Sequence, residues 1–154
     1  MTLRAEIIDT GVEYFYQAKL VINKPADQIF NFIANPANHQ LMDGSGMVKA
    51  KISGPSKLFL GAKFGMKMKQ GIPYAIKNQV IEFQEAKSIA WQHLLHNVWR
   101  YELREIDEQS TEVIESWDAR NARSMWWIKK GKPQNWVPKA MGKSLVNLKV
   151  LLEK

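Results

Sequence analysis

The stretch that most constrains the fold is the last one, residues 138–154. Its apolar residues recur at spacings of four, three and four, which places them on one side of an α-helix: Met141, Leu145, Leu148 and Leu152. Pro138 suits the first helical turn, where a missing amide hydrogen costs nothing. At a rise of about 1.5 Å per residue this helix is about 25 Å long, enough to cross several strands. The sequence therefore predicts a long amphipathic helix that needs a sheet as its partner.

Length and composition indicate a single domain over residues 1–154. Of the 154 residues, 45% are hydrophobic, so the chain can bury a core without covalent staples. It has no cysteine, which excludes disulfides and thiolate chemistry and favours a cytoplasmic protein. The first ten residues lack the pattern of a signal peptide, and no apolar run is long enough to span a bilayer. We expect no integral membrane association.

Between residues 12 and 118 the sequence mostly alternates between apolar and polar residues, as half-buried strands do. A strand is predicted over 12–23, and a helix begins at Pro25 and ends near Pro36. After a loop over 36–46, six strands follow, over 48–52, 64–69, 74–83, 88–94, 98–106 and 111–118. Val80 and Ile81 are both apolar, which leaves open the buried face of their strand. Residues 119–137 are predicted to be a loop with one short helical turn near 124–129.

Several segments, in this order and spacing, carry a resemblance to a known superfamily: 21–30, 43–46, 89–93, 99–103, 113–117 and the closing helix 141–152. The chain resembles the START-like, SRPBCC superfamily of pollen-allergen-like proteins, lipid carriers and polyketide cyclase/dehydrase relatives. The resemblance implies an α+β helix-grip fold, in which a curved seven-stranded antiparallel sheet wraps the long C-terminal helix. It also implies a cavity that binds hydrophobic molecules. It implies no reaction, because the superfamily includes enzymes, carriers and regulators.

The inner face of the predicted sheet is bulky and aromatic, with few polar groups, as in a small-molecule pocket. Alternation places on that face Tyr14, Tyr16, Phe64, Met66, Met68, Trp91, His93, Trp99, Tyr101, Glu115 and Trp117. Met141 and Leu145 face them from the helix. We predict that the apolar members of this set, together with the two helix residues, bind a hydrophobic ligand. The alternative is that the same side chains only fill the core.

Glu115 and His93 are the candidate catalytic residues. A carboxylate that faces an apolar cavity must be paired, hydrogen-bonded or protonated, because an isolated buried charge is too costly. His93 lies on a nearby predicted strand, and the two side chains would supply an acid and a base for a cyclisation or dehydration. The alternatives are that either residue only orients a ligand, or that a slip of one residue in register places Glu115 in solvent.

We predict no metal and no cofactor. His93 and His96 are three residues apart, so on a strand they point to opposite faces, and only the distant His39 remains as a third ligand. Ser45 lies between two glycines but outside a nucleophile elbow. The chain also lacks a glycine-rich loop of the kinds that cradle phosphates.

The net charge of +7 allows an acidic partner, but the lysines at 49, 51, 67 and 69 alternate with apolar residues, as on a solvated outer face. We therefore expect no nucleic-acid binding. The segment 119–137 combines Trp126, Trp127 and Trp136 with lysines; it is predicted to be a lid over the cavity, with membrane or nucleic-acid docking as the alternative. Val146 and Val150 lie on the far side of the last helix, which allows a monomer or a weak homodimer.

These features favour a carrier or sensor of a hydrophobic, lipid- or polyketide-like molecule. The first alternative is an enzyme of the polyketide cyclase/aromatase kind that uses Glu115 and His93. The second is a co-chaperone-like regulatory partner that binds through its basic outer surface. The resemblance is compatible with all three classes. Turnover that depends on Glu115 and His93 would distinguish the enzyme from the carrier or sensor.

Overall fold

A computed structural model describes residues 3–48, 53–70, 72–93 and 95–154, and it leaves out the side chains of 66–70 and 72–76. The chain begins with the short strand β1 (Glu6–Ile8) and the strand β2 (Phe15–Ile22). Two helices follow, α1 (Ala26–Ile33) and α2 (His39–Met42), joined by the 3-10 turn Pro36–Asn38. The helical entry after Pro25 is confirmed, since Pro25 is the residue that precedes α1.

Five more strands form a meander: β3 (Lys63–Gln70), β4 (Ile72–Gln84), β5 (Ser88–Gln92), β6 (Val98–Asp107) and β7 (Ser110–Asp118). The chain ends in α3 (Met125–Lys130), the 3-10 turn Pro133–Asn135 and the long helix α4 (Val137–Leu152). The short helical turn predicted near 124–129 is confirmed by α3, and the predicted long terminal helix by α4.

The seven strands form one antiparallel sheet in the order β1-β2-β7-β6-β5-β4-β3. The chain passes from β2 through α1 and α2 to β3 at the opposite edge, and then returns by hairpins until β7 pairs with β2. The predicted α+β class, with a curved seven-stranded antiparallel sheet and a C-terminal helix, is confirmed.

Helix α4 packs against β1, β2 and β7 and also contacts α2. Its predicted apolar stripe is confirmed at Met141, Leu145 and Leu148, which are fully buried, whereas Leu152 at the helix end is half-buried. Helix α1 closes one end of the core, where Phe30 meets Phe83 edge-on at 5.2 Å between ring centroids. The core therefore lies between the sheet and the two helices.

Three predicted details of the secondary structure were wrong. The strand predicted over 12–23 begins only at Phe15, because Tyr14 has a positive φ of 60° that ends the extended backbone. The edge strand β1 was missed, since only Glu6, Ile7 and Ile8 pair with β2. The loop predicted over 36–46 contains α2. The strand predicted over 48–52 falls mostly on residues 49–52, outside the described part, and so do its lysines.

The open question about Val80 and Ile81 is resolved by burial. Val80 is 1% exposed and Ile81 41% exposed, so Val80 faces the core. A bulge between Val80 and Glu82 shifts the register of β4 against β5. Such a bulge carries one extra residue, which breaks simple alternation and explains why the pattern there was ambiguous.

Candidate functional site

A row of aromatic side chains crosses the inner face of the sheet, and we call it the tryptophan row. Cross-strand register pairs Tyr16 with Trp117, Trp117 with Trp99, and Trp99 with Trp91. Trp91 and Trp117 are buried and the other two are half-buried. Tyr16 stacks on Trp117 with ring centroids 5.6 Å apart and planes 7° apart. Four of the predicted ligand-binding residues thus form one continuous apolar surface.

The other predicted ligand-binding residues extend this surface in different directions. Tyr101 and Phe64 are buried, and each lies within 6 Å of Trp91 between ring centroids, at 5.8 and 5.6 Å. Met141 and Leu145 of α4 are fully buried in the same core. Met66 and Met68 belong to β3, but their side chains lie outside the described part of the structure.

Tyr14 and Tyr16 also line an open cleft of about 440 Å³ between the segment 7–14 and the start of α4, where Gln134 and Pro138 form the other wall. Tyr16 contacts both this cleft and the tryptophan row, because its ring stacks on Trp117. Tyr16 is therefore the residue that the cleft and the tryptophan row share.

Glu115 lies on the inner face of β7, two residues before Trp117 of the tryptophan row. It pairs with Tyr101 on β6 and with Ala18 on β2. Only 1% of it is exposed, so the register slip that would place it in solvent does not occur. Burial raises the pKa of Glu115 well above its usual range; a hydrogen bond with Tyr101 lowers it in part, and the negative charge of Asp43 raises it again. Within the described part of the chain, Oε2 of Glu115 has no hydrogen-bond partner.

The structure does not bring His93 to Glu115, so the predicted acid–base pair is corrected. Glu115 pairs with Tyr101 of β6, and Tyr101 pairs with Ile89 of β5. His93 lies four residues beyond Ile89 in the chain. At about 3.3 Å per residue, this offset is about 13 Å along the strands. His93 instead meets Trp99 edge-on at 6.1 Å, and burial lowers its pKa to about 3. The residue that does face Glu115 is Tyr101.

His39 belongs to the interior and was missed as a candidate. It is 5% exposed, and its ring stacks on Trp91 at 4.8 Å and meets Phe64 edge-on at 5.4 Å. Its Nε2 lies 2.8 Å from the carbonyl oxygen of Ile33. Burial lowers the pKa of His39 to about 4, and the hydrogen bond to Ile33 raises it in part. The sequence signal was weak, because His39 follows Pro36 in a segment without steady periodicity.

Asn78 is a second buried polar residue that the sequence did not single out. It lies opposite Phe64 in the β3–β4 pairing and is 1% exposed. Among the described residues, neither its Nδ2 nor its Oδ1 has a partner, and the same holds for Nδ1 of His39 and Nδ1 of His93. Because most buried polar atoms in folded proteins are hydrogen-bonded, this concentration of unpartnered atoms needs an explanation.

The loop after α2 brings a negative charge near the interior. Oδ1 of Asp43 accepts hydrogen bonds from the amide of Ser45 at 3.0 Å and from its hydroxyl at 2.7 Å. Oδ2 of Asp43 accepts one from the amide of Val48 at 3.0 Å. These bonds fix the loop. Burial raises the pKa of Tyr101 well above its usual range, the neighbouring Glu115 raises it further, and the Asp43 carboxylate adds a smaller upward shift to the pKa of both Tyr101 and Glu115.

The segment 119–137 does not cover the interior with all of its tryptophans, as a lid would require. Trp126 is 61% exposed and Trp127 55% exposed, and their rings meet edge-on at 4.6 Å. The ammonium group of Lys130 lies 4.8 Å from the Trp126 ring centroid and 5.3 Å from that of Trp127. Ile128 is the buried residue of α3. The predicted lid is therefore wrong for Trp126 and Trp127, whereas Trp136 is half-buried.

No helix formed by residues 3–48, 53–70, 72–93 and 95–154 is long and apolar enough to cross a membrane. The same part of the chain contains no group of three or more His, Cys, Asp or Glu side chains that could hold a metal ion.

Comparison with known sequences identifies distant relatives. No protein-family model matches the chain. The uncharacterized protein Rv0088 of Mycobacterium tuberculosis (strain H37Rv) is 38% identical over 95 residues, which are 61% of this chain and 42% of the relative. MT0096, from the CDC 1551 strain of the same species, is 37% identical over 95 residues with the same coverage. The chain thus spans less than half the length of the curated relatives it matches.

Solved structures share the fold over almost the whole chain. Protein Ms6760 of Mycobacterium smegmatis matches with a TM-score of 0.69 and 12% identity, covering 98% of each chain. A protein of Arthrobacter aurescens matches with a TM-score of 0.73 and 8% identity, covering 96% of this chain and 91% of that one. The Aha1 dimer of Colwellia psychrerythraea matches with a TM-score of 0.58 and 14% identity, covering 90% and 96%. At such low identities these matches establish the fold alone.

Proposed function

We propose that the chain binds an apolar small molecule between the curved sheet and α4, as a carrier or sensor, in the manner of the SRPBCC superfamily that its sequence resembles. The observation that carries this proposal is Oε2 of the buried Glu115 carboxyl, which has no hydrogen-bond partner among the described residues and lies beside a row of aromatic rings. Leaving a buried polar group without a partner costs about 1–3 kcal/mol. A ligand that hydrogen-bonds to Glu115 would remove this cost, and packing alone gives no reason for the carboxyl.

The aromatic composition of the interior supports the same reading. Trp91, Trp99 and Trp117 offer flat apolar surfaces that suit a molecule with rings or a long chain. The predicted members Tyr101, Phe64, Met141 and Leu145 surround this row, with Met66 and Met68 on β3. The likeness of fold to solved proteins supports the architecture, and the ligand class is inferred from this chain's own side chains.

Neither alternative has a specific observation in its favour. The cyclase-like mechanism needs Glu115 and His93 in contact, and the register separates them. The co-chaperone-like function needs a basic outer surface, whose predicted lysines are outside the described side chains. We therefore propose binding rather than catalysis.

The proposal is tested by searching for a ligand in protein that has been purified without detergent. Native mass spectrometry should show a co-purified apolar compound, and the emptied protein should bind the uncharged dye Nile red. Trp99→Leu should weaken dye binding about tenfold, since it removes contact area worth about 1.4 kcal/mol. Trp126→Leu is the matched control, because Trp126 is exposed on α3. A bare protein that binds no dye would refute the proposal.

A further inference from the structure

The interior has a second group of polar atoms without hydrogen-bond partners among the described residues, on the side chains of His39, Asn78 and His93. We call these three residues the polar end. Gln79 pairs with Gln92, so the next position places Asn78 beside His93. This pair is offset about 13 Å along the strands from Glu115, and His39 reaches the same region from α2 by packing on Phe64 and Trp91. The aromatic interior thus carries polar groups at two separate places.

His39 can only accept a hydrogen bond from a ligand. Its Nε2 lies 2.8 Å from the Ile33 carbonyl oxygen, and a carbonyl oxygen only accepts, so the ring hydrogen is on Nε2. Nδ1 then carries a lone pair, and among the described residues it has no donor. The bond to Ile33 therefore fixes both the tautomer of His39 and the kind of ligand group that fits it.

Asn78 adds both kinds of hydrogen-bonding atom. Its Nδ2 donates and its Oδ1 accepts, and both are buried opposite Phe64 without a partner among the described side chains. A hydroxyl group matches His39 and Asn78 together, because it can donate its one hydrogen to Nδ1 of His39 and accept from Nδ2 of Asn78. A ligand group that only accepts would leave Nδ1 of His39 unsatisfied.

The charge of the polar end also restricts the ligand. Burial lowers the pKa of His39 to about 4 and that of His93 to about 3, so both rings are neutral at pH 7. Asn78 has no charge at any pH. These three side chains therefore offer no cation to a carboxylate or phosphate, and an anion brought to them would lose its hydration without compensation.

Building on the function proposed above, we propose that the ligand is an uncharged apolar molecule with a hydroxyl group, which donates its one hydrogen to Nδ1 of His39 and accepts a hydrogen bond from Nδ2 of Asn78. The ligand class is thus an alcohol or phenol, and not a fatty acid or a phospholipid headgroup. The proposal rests on the positions of the buried unpartnered atoms, and it assigns a role to residues outside the predicted set.

The test compares three probes that share one apolar body: para-octylphenol, its methyl ether para-octylanisole, and the anion para-octylbenzoate. Binding to the purified full chain is measured at pH 7 by quenching of tryptophan fluorescence and by calorimetry. The phenol should bind at least about tenfold more tightly than either of the others. The ether cannot donate the buried hydrogen bond, and the benzoate carries a charge that would have to be desolvated. This comparison uses the unaltered protein, so it does not depend on whether a variant folds.

Asn78→Leu provides a second test, because leucine has a similar volume and no polar atom. This variant should bind both the phenol and the ether about tenfold more weakly, because each oxygen loses the hydrogen bond from Nδ2 of Asn78. It should keep the preference for the phenol, which comes from the donation to His39. Gln79→Leu is the matched control, since Gln79 is the neighbouring amide on β4 and is exposed on the opposite face. It should leave the affinities for the phenol and the ether unchanged.

The outcomes separate this inference from the function on which it rests. Equal binding of all three probes, or tightest binding of the anion, would overturn the hydroxyl-bearing ligand and leave apolar binding intact. Phenol binding that is unchanged in Asn78→Leu would also overturn it. No binding of any probe would overturn the proposed function, and this inference with it.

Discussion

The backbone amide of Gly44 donates a hydrogen bond to Oγ of Ser144 at 2.7 Å, and this contact ties the loop after α2 to the middle of α4. The approach is close enough that a Cβ at position 44 would collide with the carbonyl oxygen of Ala140. Nδ2 of Asn147 reaches the carbonyl oxygen of Met42 at 3.4 Å and adds a second link. The position of Asp43 beside the interior therefore depends on a glycine at its neighbour.

Gly44→Ala should lower the free energy of unfolding by about 1–3 kcal/mol. The added Cβ would overlap backbone atoms of α4, so the loop and the helix would have to move apart. Gly131→Ala is the matched control. Gly131 has a φ of −74°, and a Cβ there would meet its nearest atoms at an ordinary 3.5 Å, so stability should change by no more than about 0.5 kcal/mol. Urea denaturation of both variants measures the difference. Equal stability of the two variants would show that the loop is not held against α4.

Glu115→Gln should make the protein more stable than the wild type at neutral pH, by an amount that vanishes in acid. The carboxyl pKa is raised well above 4.5 in the folded state, so the unfolded chain releases its proton first as the pH rises. Wild-type stability therefore falls above pH 4.5, by up to about 1.4 kcal/mol per pH unit, until the folded pKa is reached. Glutamine has no proton to release and escapes this loss.

The measurement for Glu115 is urea denaturation between pH 4 and 8, plotted as variant minus wild type so that other titrating groups cancel. Glu105→Gln is the control, because Glu105 is exposed at the end of β6. A constant difference across this range would mean that Glu115 does not hold its proton when the protein folds.

His39→Gln should reduce the sensitivity of the fold to acid. Folding lowers the pKa of His39 from 6.5 to about 4, so the unfolded chain takes up a proton first as the pH falls. The contribution of this residue to stability is complete above pH 6.5 and is lost towards pH 4, about 3 kcal/mol in all. Glutamine keeps a donor for the Ile33 carbonyl but does not titrate.

The experiment for His39 compares unfolding free energies of the variant and the wild type at pH 7 and at pH 5. The wild type should lose more stability between these two values than the variant. His93 contributes in the same direction in both proteins, since burial lowers its pKa to about 3, and so it cancels in the comparison. Parallel losses in the two proteins would contradict the buried, neutral state of His39.

The sequence predicted the inner face best where short turns fix the register. The β6–β7 and β5–β6 hairpins follow each other closely, so alternation alone places Trp91, Trp99, Tyr101, Glu115 and Trp117 on one face. All five lie on that inner face, Trp99 half-buried and the others buried. Local pattern was sufficient here because each strand constrains the phase of the next.

The sequence failed where position depends on distant contacts. His39 lies in the interior because α2 packs beneath Trp91 and Phe64, and no periodicity around it indicates this. Asn78 faces inward in a strand whose phase is disturbed by a bulge at Val80. The strand β1 is too short to show alternation and exists through its pairing with β2.

The exposed pair Trp126 and Trp127 should contribute little to stability or to ligand binding, in contrast to the neighbouring Ile128. Both rings are more than half exposed, and their clear contacts are with each other and with Lys130. Trp126→Ser and Trp127→Ser should each cost no more than about 1 kcal/mol, whereas Ile128→Ala should cost about 2 kcal/mol or more, because it leaves a cavity in the core.

Affinity for the apolar probe decides whether this segment acts as a lid. Both tryptophan variants should bind Nile red within about twofold of the wild type, since removing a side chain that contacts only solvent and its neighbours changes binding by a fraction of a kcal/mol. Emission from Trp126 and Trp127 should also stay accessible to acrylamide when the probe is bound. A large loss of affinity in either variant would mean that α3 closes over the ligand. Protection of these two rings from acrylamide by the bound probe would mean the same, because it requires that the rings are buried against the bound molecule.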